Sequence, residues 1–247
     1  MDSFDSIASA AMGALAKIWT SALTPAPAPP PAIVVGTLVF AVLVVVVTPV
    51  WRVARHLVTI AHEGAHGVAA LLSGRRLAGI RLHSDTSGLT LSRGRPRGAG
   101  MVLTSFAGYV GPGLIGLGAA WLLSHGYAMG VLWSLTALLA LLLLQIRNWF
   151  GLWSVLVTGT ILVVVSWYAP PSAQTTAAYA VTWFLLLGSV KPVFELQSQR
   201  RRGRARDSDA DQLGRITPLP ALVWIGAFGV VTVGCAVFGG WLLLGAS

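Results

Sequence analysis

The stretch TIAHEGAHGVAALLSG, Thr59 to Gly74, places two histidines and a glutamate inside an otherwise apolar segment. The three residues are His62, Glu63 and His66. Ionisable side chains are unfavourable inside a bilayer, and where they occur they usually mark a functional site. In a helix, four residues turn through about 400°, so both imidazoles project from one face, roughly 6 Å apart along the axis. The segment therefore predicts a helix with a polar site on one side.

The order of these residues is the H-E-x-x-H pattern, which assigns each of them a chemical role. The neutral imidazoles of His62 and His66 bind one Zn²⁺, and the ion lowers the pKa of water towards about 7. Glu63 is then placed to take a proton from that water. An intramembrane His–Glu pair used for packing or for a proton relay stays open as an alternative. The pattern predicts a zinc-dependent hydrolase with Glu63 as the catalytic base.

The composition of the chain predicts an integral membrane protein. Of 247 residues, 55% are hydrophobic and 10% are charged, and the mean hydropathy is +0.75. Soluble domains carry roughly 25% charged residues. The net charge of +9 comes from clusters of arginine beside apolar segments, a pattern typical of membrane orientation signals. We therefore expect the lipid bilayer, and no nucleic acid, as a partner.

The single cysteine, Cys235, excludes an internal disulfide and a cysteine-based zinc site.

Apolar runs of about 20 residues, the length that spans a bilayer, recur along the chain. They predict an all-α polytopic membrane protein with about seven transmembrane helices, at 32–50, 54–73, 101–123, 128–146, 150–168, 176–191 and 219–244. Residues 1–31 are predicted to be an N-terminal segment, with an amphipathic helix on the membrane surface at 4–19 and a proline-rich spacer. Residues 32–247 are predicted to form one transmembrane metallopeptidase domain.

Between the second and third runs, the sequence AGIRLHSDTSGLTLSRG predicts a small β-hairpin. Apolar and polar residues alternate on both sides of the DTSG turn, which is the period of a β-strand. The alternating residues are Ile80, Arg81, Leu82 and His83, then Leu89, Thr90, Leu91 and Ser92. Such a hairpin offers an open edge to which an extended peptide can add as a strand.

The distribution of arginine predicts how the chain is oriented in the membrane. Residues 75–97 contain six arginines, Arg147 lies between two spans, and 191–215 contain seven basic residues. The positive-inside rule places these three loops in the cytoplasm and the C-terminus outside. Arg52 and Arg55 are the exception, because this arrangement puts them in a short link on the outer side.

HEGAH in an apolar segment, followed by a hairpin and then by FAGYVGPGLIG, resembles the site-2 protease family of intramembrane zinc metallopeptidases. Within this family, the chain more closely resembles the compact bacterial branch, which lacks a PDZ domain. The resemblance implies that Glu63 is the catalytic base and that His62 and His66 are metal ligands. The family's glycine-proline motif corresponds to Gly111 and Pro112. The family also places its active site in the membrane towards the cytoplasm.

A catalytic zinc ion needs a third protein ligand. Larger relatives supply it from an Asp-Gly motif in a later transmembrane helix, and this chain has no such motif. The segment from Ser208 to Trp224 resembles the equivalent segment of the compact branch, which implies that Asp209 is the third ligand. Asp211 stays open as an alternative. It and Asp207 also fit solvated positions among the neighbouring arginines.

Four other polar residues are predicted to lie outside the metal site or to have another role. Asp85 is expected to begin the hairpin turn, where its side chain accepts hydrogen bonds from backbone NH groups. His83 is expected to face solvent or lipid headgroups. His56 is six residues before His62, about 240° around the helix, and points away from the site. Asn148 either begins the following helix or hydrogen-bonds a substrate or an oxyanion.

The sequence thus predicts an intramembrane zinc metalloendopeptidase that cleaves a membrane-anchored protein near the cytoplasmic face of the plasma membrane. The alternatives are a non-catalytic metal-binding membrane protein of the same fold, a transporter, and a different membrane zinc protease such as a prenyl-protein protease. In the last case Glu195 is the candidate third ligand. Fifteen arginines against two lysines favour a bacterial source with a GC-rich genome. The sequence makes no prediction about the oligomeric state.

Overall fold

The computed structural model describes residues 2–203 and 207–245, with side chains from residue 6 onward. Residues 204–206, which belong to the basic segment 191–215, lie outside the described residues. Within the described ranges there are nine helices and one two-stranded antiparallel sheet. The elements are α1 (Asp2–Leu23), α2 (Pro31–Val46), α3 (Thr48–Leu72), β1 (Arg76–Leu82), β2 (Gly88–Arg93), α4 (Ala99–Ser124), α5 (Ala128–Leu143), α6 (Trp149–Tyr168), α7 (Pro171–Arg201), α8 (Asp209–Ile216) and α9 (Ala221–Gly245).

Each predicted apolar run forms a helix, but the predicted count of seven spans is not confirmed. In the described part of the chain, four helices are long and apolar enough to cross a membrane: α4, α6, α7 and α9. The chain bends by 101° between helices α2 and α3, and the two helices together count as at most one further span. Helix α5 has 16 residues, fewer than the roughly 20 that cross the hydrocarbon core. Length and composition therefore give four spans, or five with the bent pair.

Arg52 and Arg55 were predicted to lie in a short external link between two spans. In the structure both residues lie within α3. Arg55 forms an ion pair with Glu195 of α7, at 3.3 Å, and the indole NH of Trp51 donates to the same carboxylate at 2.8 Å. An arginine paired inside the protein no longer acts as an orientation signal in a loop. Arg55 is seven residues before His62 on α3, which is about 10 Å along the helix axis. Its ion pair therefore holds Glu195 at a distance from the two histidines.

The N-terminal helix α1 is longer than the predicted 4–19 and leads into the proline-rich spacer. This spacer is fixed to the turn between α4 and α5, where the NH of Ala26 donates to the carbonyl of Gly126 at 2.8 Å. Gly126 has a φ of +86°, and a Cβ there would overlap the carbonyl oxygen of Ala26. Only glycine fits this position without strain. On α1, Met12, Leu15 and Trp19 are exposed, and its position on the membrane surface stays a prediction.

The predicted β-hairpin is confirmed. Strands β1 and β2 pair antiparallel, with an irregular register between Leu77 and Gly79. In the turn, the Asp85 carboxylate accepts hydrogen bonds from the NH and the hydroxyl of Ser87, at 3.0 and 2.6 Å. These bonds lower the pKa of Asp85 below its ordinary value. The predicted role of Asp85 in the turn is therefore confirmed.

The outer edge of β1 is covered by the segment between α5 and α6. Ile80 donates its NH to the carbonyl of Gln145 at 2.8 Å and accepts from the NH of Arg147 at 2.9 Å. The amide of Asn148 continues this edge: its oxygen accepts from the NH of Leu82 at 3.1 Å, and its nitrogen donates to the carbonyl of Leu82 at 2.6 Å. Asn148 directly precedes α6 as predicted, yet its side chain binds the hairpin and not the helix.

Helix α4 is the central element of the bundle and packs against α3, α7 and α9. Small residues let these helices approach closely, as is typical of membrane bundles. A Cβ at Gly116 would meet the backbone and side chain of Leu186 on α7. Large apolar side chains on the outer faces of α6 and α9 are exposed, among them Ile161 and Val230. The bundle therefore presents an apolar outer surface and holds α3 against α4 at its centre.

Candidate metal centre

The two histidines of α3 converge as the H-E-x-x-H spacing predicts. The Nε2 atoms of His62 and His66 lie 3.0 Å apart. On the other side of the His66 ring, Nδ1 lies 2.7 Å from the main-chain carbonyl of Thr104 in α4, to which it donates. This contact fixes the tautomer and directs the lone pair of Nε2 into the site. His66 is buried, and His62 is half-buried.

Asp209 of α8, which the resemblance predicts to be the third ligand, contacts both imidazoles. Its Oδ2 atom lies 3.2 Å from Nε2 of His62 and 3.3 Å from Nε2 of His66. Two imidazole lone pairs and a carboxylate oxygen repel one another unless a cation or a proton lies between them. Ligands at the usual zinc distances stand about 3.3–3.5 Å apart in a tetrahedral site. The spacing and the N, N, O donor set of these three residues fit a zinc ion.

The short helix α8 carries Asp209 to this position. It begins after Ser208, whose hydroxyl oxygen accepts from the NH of Asp211 at 3.3 Å and so caps the helix. Ala210 and Leu213 are fully buried in an apolar cluster formed with α4, α7 and α9. Because Asp209 and Leu213 are four residues apart, they lie on the same side of the helix. Burial of the apolar side of α8 therefore turns Asp209 towards the histidines.

The other two aspartates of this segment have partners elsewhere. Asp211 binds the guanidinium of Arg200 and accepts from the hydroxyl of Ser208 at 2.6 Å. Partial burial opposes ionisation of Asp211, but these hydrogen bonds and the charge of Arg200 hold its pKa below the ordinary value. The side chain of Asp207 is 93% exposed and lies 3.4 Å from Arg215. Of the three aspartates, only Asp209 has a carboxylate against the histidines.

Glu63 is buried between α3 and the hairpin, with 4% of its surface exposed. One of its carboxylate oxygens and one ring nitrogen from each of the two histidines lie within 4.8 Å of one another. The hydroxyl of Thr90 in β2 donates to Oε2 of Glu63 at 2.6 Å. Beside Oε1 lies Gly88, where a Cβ would overlap the carboxylate. The hairpin therefore forms one wall of the site.

On strand β2 the apolar side chains face outwards and the polar side chains face inwards, the reverse of the usual hydrophobic pattern. Leu89 and Leu91 are exposed, whereas Thr90 and Ser92 are half-buried. The alternation of the sequence includes these polar residues but predicts no role for them. Thr90 pairs across the strands with Ile80, which is buried, so both side chains share the inner face of the sheet. The pairing of Thr90 with the buried Ile80 is therefore the signal that places Thr90 on the side of the sheet that faces the site.

Helix α4 reaches the imidazoles through two glycines of the FAGYVGPG sequence. A Cβ at Gly108 would overlap Nε2 of both His62 and His66, and a Cβ at Gly111 would overlap Cβ of Ala65. Gly111 belongs to the glycine-proline motif that the resemblance identified, whereas Gly108 was not predicted. Ala65, the small residue that Gly111 faces, is part of the same close contact between α3 and α4.

We expect Gly108→Ala to weaken zinc binding by at least about tenfold, because the added methyl group displaces the nitrogen atoms of the two imidazoles. The matched control is Gly118→Ala in the same helix, where an added Cβ has no atom within 4 Å. Competition with a coloured zinc chelator, using protein purified in detergent, measures both affinities. Equal zinc affinity in the two variants would contradict the close packing of α4 against the site.

Comparison with known proteins agrees with this geometry. A family model described as Peptidase M50B-like matches residues 35–239, a range that includes both histidines, Glu63 and Asp209. The match covers most of the chain, so the chain belongs to this family, which is the site-2 protease family. No curated protein and no solved structure matches the chain.

Proposed function

We propose that this member of the Peptidase M50B-like family is an intramembrane zinc endopeptidase. It hydrolyses a peptide bond of a membrane-anchored protein near the cytoplasmic face of a bacterial plasma membrane. The observation that carries the proposal is the convergence of His62, His66 and Asp209 at 3.0–3.3 Å, next to the carboxylate of Glu63. Three protein ligands are the number that catalytic zinc sites use.

Each residue of the site has a defined task in peptide hydrolysis. His62, His66 and Asp209 would hold a zinc ion, which when bound would supply Lewis acidity to polarise the scissile carbonyl and make water more acidic. Glu63 takes one proton from water as the water oxygen adds to the carbonyl carbon. It then gives that proton to the amide nitrogen as the C–N bond breaks. The carboxylate ends the cycle ionised, as it began.

The placement in the membrane rests on charge and helix geometry. We place residues 75–97, 147 and 191–215 in the cytoplasm because basic residues are concentrated there. His66 lies eight residues before Gly74, which is about 12 Å of helix. The site is then within the membrane but close to its cytoplasmic surface, where a membrane-anchored substrate can reach it.

The hairpin suggests how a substrate chain is held. An extended segment can add to a sheet edge through main-chain hydrogen bonds. The outer edge of β1 is already covered by residues 145–148. Strand β2 has β1 as its only strand partner in the described part of the chain, and it carries Gly88 and Thr90 against Glu63. We therefore propose that the substrate binds along β2.

Metal analysis and cleavage mapping together test the proposed function. Purified protein should contain about one zinc ion per chain, and His62→Ala should lose it. Incubation with detergent-solubilised bacterial membranes should create new N-termini in or near apolar segments, identified by mass spectrometry, only with the metal-loaded protein. His56→Ala is the matched control, since His56 lies on α3 with its ring against Phe150. Stoichiometric zinc without any new N-terminus would favour the non-catalytic alternative.

A further inference from the structure

The hairpin is attached to α3 by two threonine hydroxyls. Thr90 of β2 donates to the carboxylate of Glu63 at 2.6 Å, and its hydroxyl lies 3.1 Å from the main-chain carbonyl of the same residue. One helical turn earlier, Thr59 donates to the carbonyl of Thr86 in the hairpin turn at 3.0 Å. The first contact reaches the catalytic carboxylate, whereas the second joins the hairpin turn to the helix away from it.

Strand β2 encloses the Glu63 carboxylate from one side. Gly88 and Thr90 are two residues apart, so both present the same face of the strand to it. Gly88 leaves room for Oε1, and Thr90 holds Oε2. A free glutamate side chain samples many rotamers, and ordering it is entropically unfavourable. A hydrogen bond to one oxygen fixes the orientation of the other, so the carboxylate is ordered before a substrate arrives.

We propose that Thr90 is a positioning residue for Glu63. Its hydroxyl holds the carboxylate in the orientation from which the other oxygen takes a proton from water. The proposal rests on the proposed peptidase function and adds a residue to that site. A purely structural role for Thr90 would need only its shape, which valine reproduces. The donated hydrogen bond to Glu63 is what valine lacks.

The experiment compares Thr90→Val with Thr90→Ser, using a synthetic peptide that spans one cleavage site mapped as described above. Loss of a residue that orients a catalytic group typically lowers activity 10–100-fold. We expect Thr90→Val to lower kcat by that factor, with KM within about twofold of wild type and the zinc content unchanged. Thr90→Ser retains the hydroxyl and should return kcat to within about threefold of wild type.

Thr59→Val is the matched control, because it removes the other hydroxyl between α3 and the hairpin without touching Glu63. It should leave kcat within about twofold of wild type. Full activity of Thr90→Val would overturn the proposal, and so would equal losses in the valine and serine variants of Thr90 or an equal loss in Thr59→Val. A wild-type protein that binds zinc but cleaves nothing would instead refute the peptidase function, and the role of Thr90 with it.

Discussion

Replacing Glu63 with glutamine is expected to abolish peptide cleavage while the zinc content stays at the wild-type level. Glutamine has the shape of glutamate, and its amide oxygen can still accept from Thr90, so the hairpin should stay in place. The amide cannot take a proton from water, and loss of a general base lowers rates by about 10²–10⁴. Mass spectrometric mapping of new N-termini, with zinc analysis of the same preparation, measures both quantities.

The other glutamate of the chain provides the control for this substitution. Glu195→Gln removes the same charge from α7, where Glu195 pairs with Arg55 and Trp51. It should lower thermal stability, because the guanidinium of Arg55 loses its counter-charge, yet it should retain cleavage. A Glu63→Gln variant with wild-type activity would end the assignment of Glu63 as the base. The metal site could survive that result, since Glu63 is not among the proposed ligands.

Features that depend on neighbouring residues in the sequence were predicted well. The H-E-x-x-H spacing places both imidazoles on one face of α3, and the period of two predicts the hairpin, because each pattern is fixed by local backbone geometry. The seven apolar runs correspond to helices for the same reason. Hydropathy does not report angles between helices, so the 101° bend between α2 and α3, and the lower count of spans, were not predicted.

The sidedness of β2 was missed for a different physical reason. In a soluble protein the apolar face of a strand packs on the core, so alternation also predicts which residues are buried. In this chain Leu89 and Leu91 are exposed, and Thr90 faces the carboxylate of Glu63. Next to lipid or a bound peptide, apolar side chains can face outwards. The polar face then turns to the polar site, and alternation alone cannot distinguish the two arrangements.

Contacts between distant parts of the chain were outside the reach of the sequence pattern. The ring of His66 binds the carbonyl of Thr104, a main-chain atom that every residue type offers. Gly108 is one of 28 glycines, and only the packing of α4 on α3 shows that its missing Cβ makes room for the imidazoles. The Asp209 prediction came from resemblance to a family. Without it, three aspartates within five residues were equally available as ligands.

Substitution of each aspartate distinguishes which of the three is the metal ligand. Asp209→Ala should weaken zinc binding by at least about 100-fold, more than the 10–100-fold typical of residues that only support a ligand. Two imidazoles on one helix then remain as ligands, and the ligand set loses its one carboxylate. Asp207→Ala and Asp211→Ala should each stay within about tenfold of wild type, because their carboxylates contact Arg215 and Arg200. Zinc affinity is measured by competition with a chelator.

The response to added zinc separates the role of Asp209 from that of Glu63. A weakened site still fills when enough metal is present, so excess zinc should partly restore cleavage by Asp209→Ala. Glu63→Gln should stay inactive at every zinc concentration, because its site is already filled. Unchanged zinc affinity in Asp209→Ala would exclude its carboxylate as a ligand. If Asp211→Ala lost as much affinity as Asp209→Ala, the position of α8 and not the Asp209 oxygen would control metal binding.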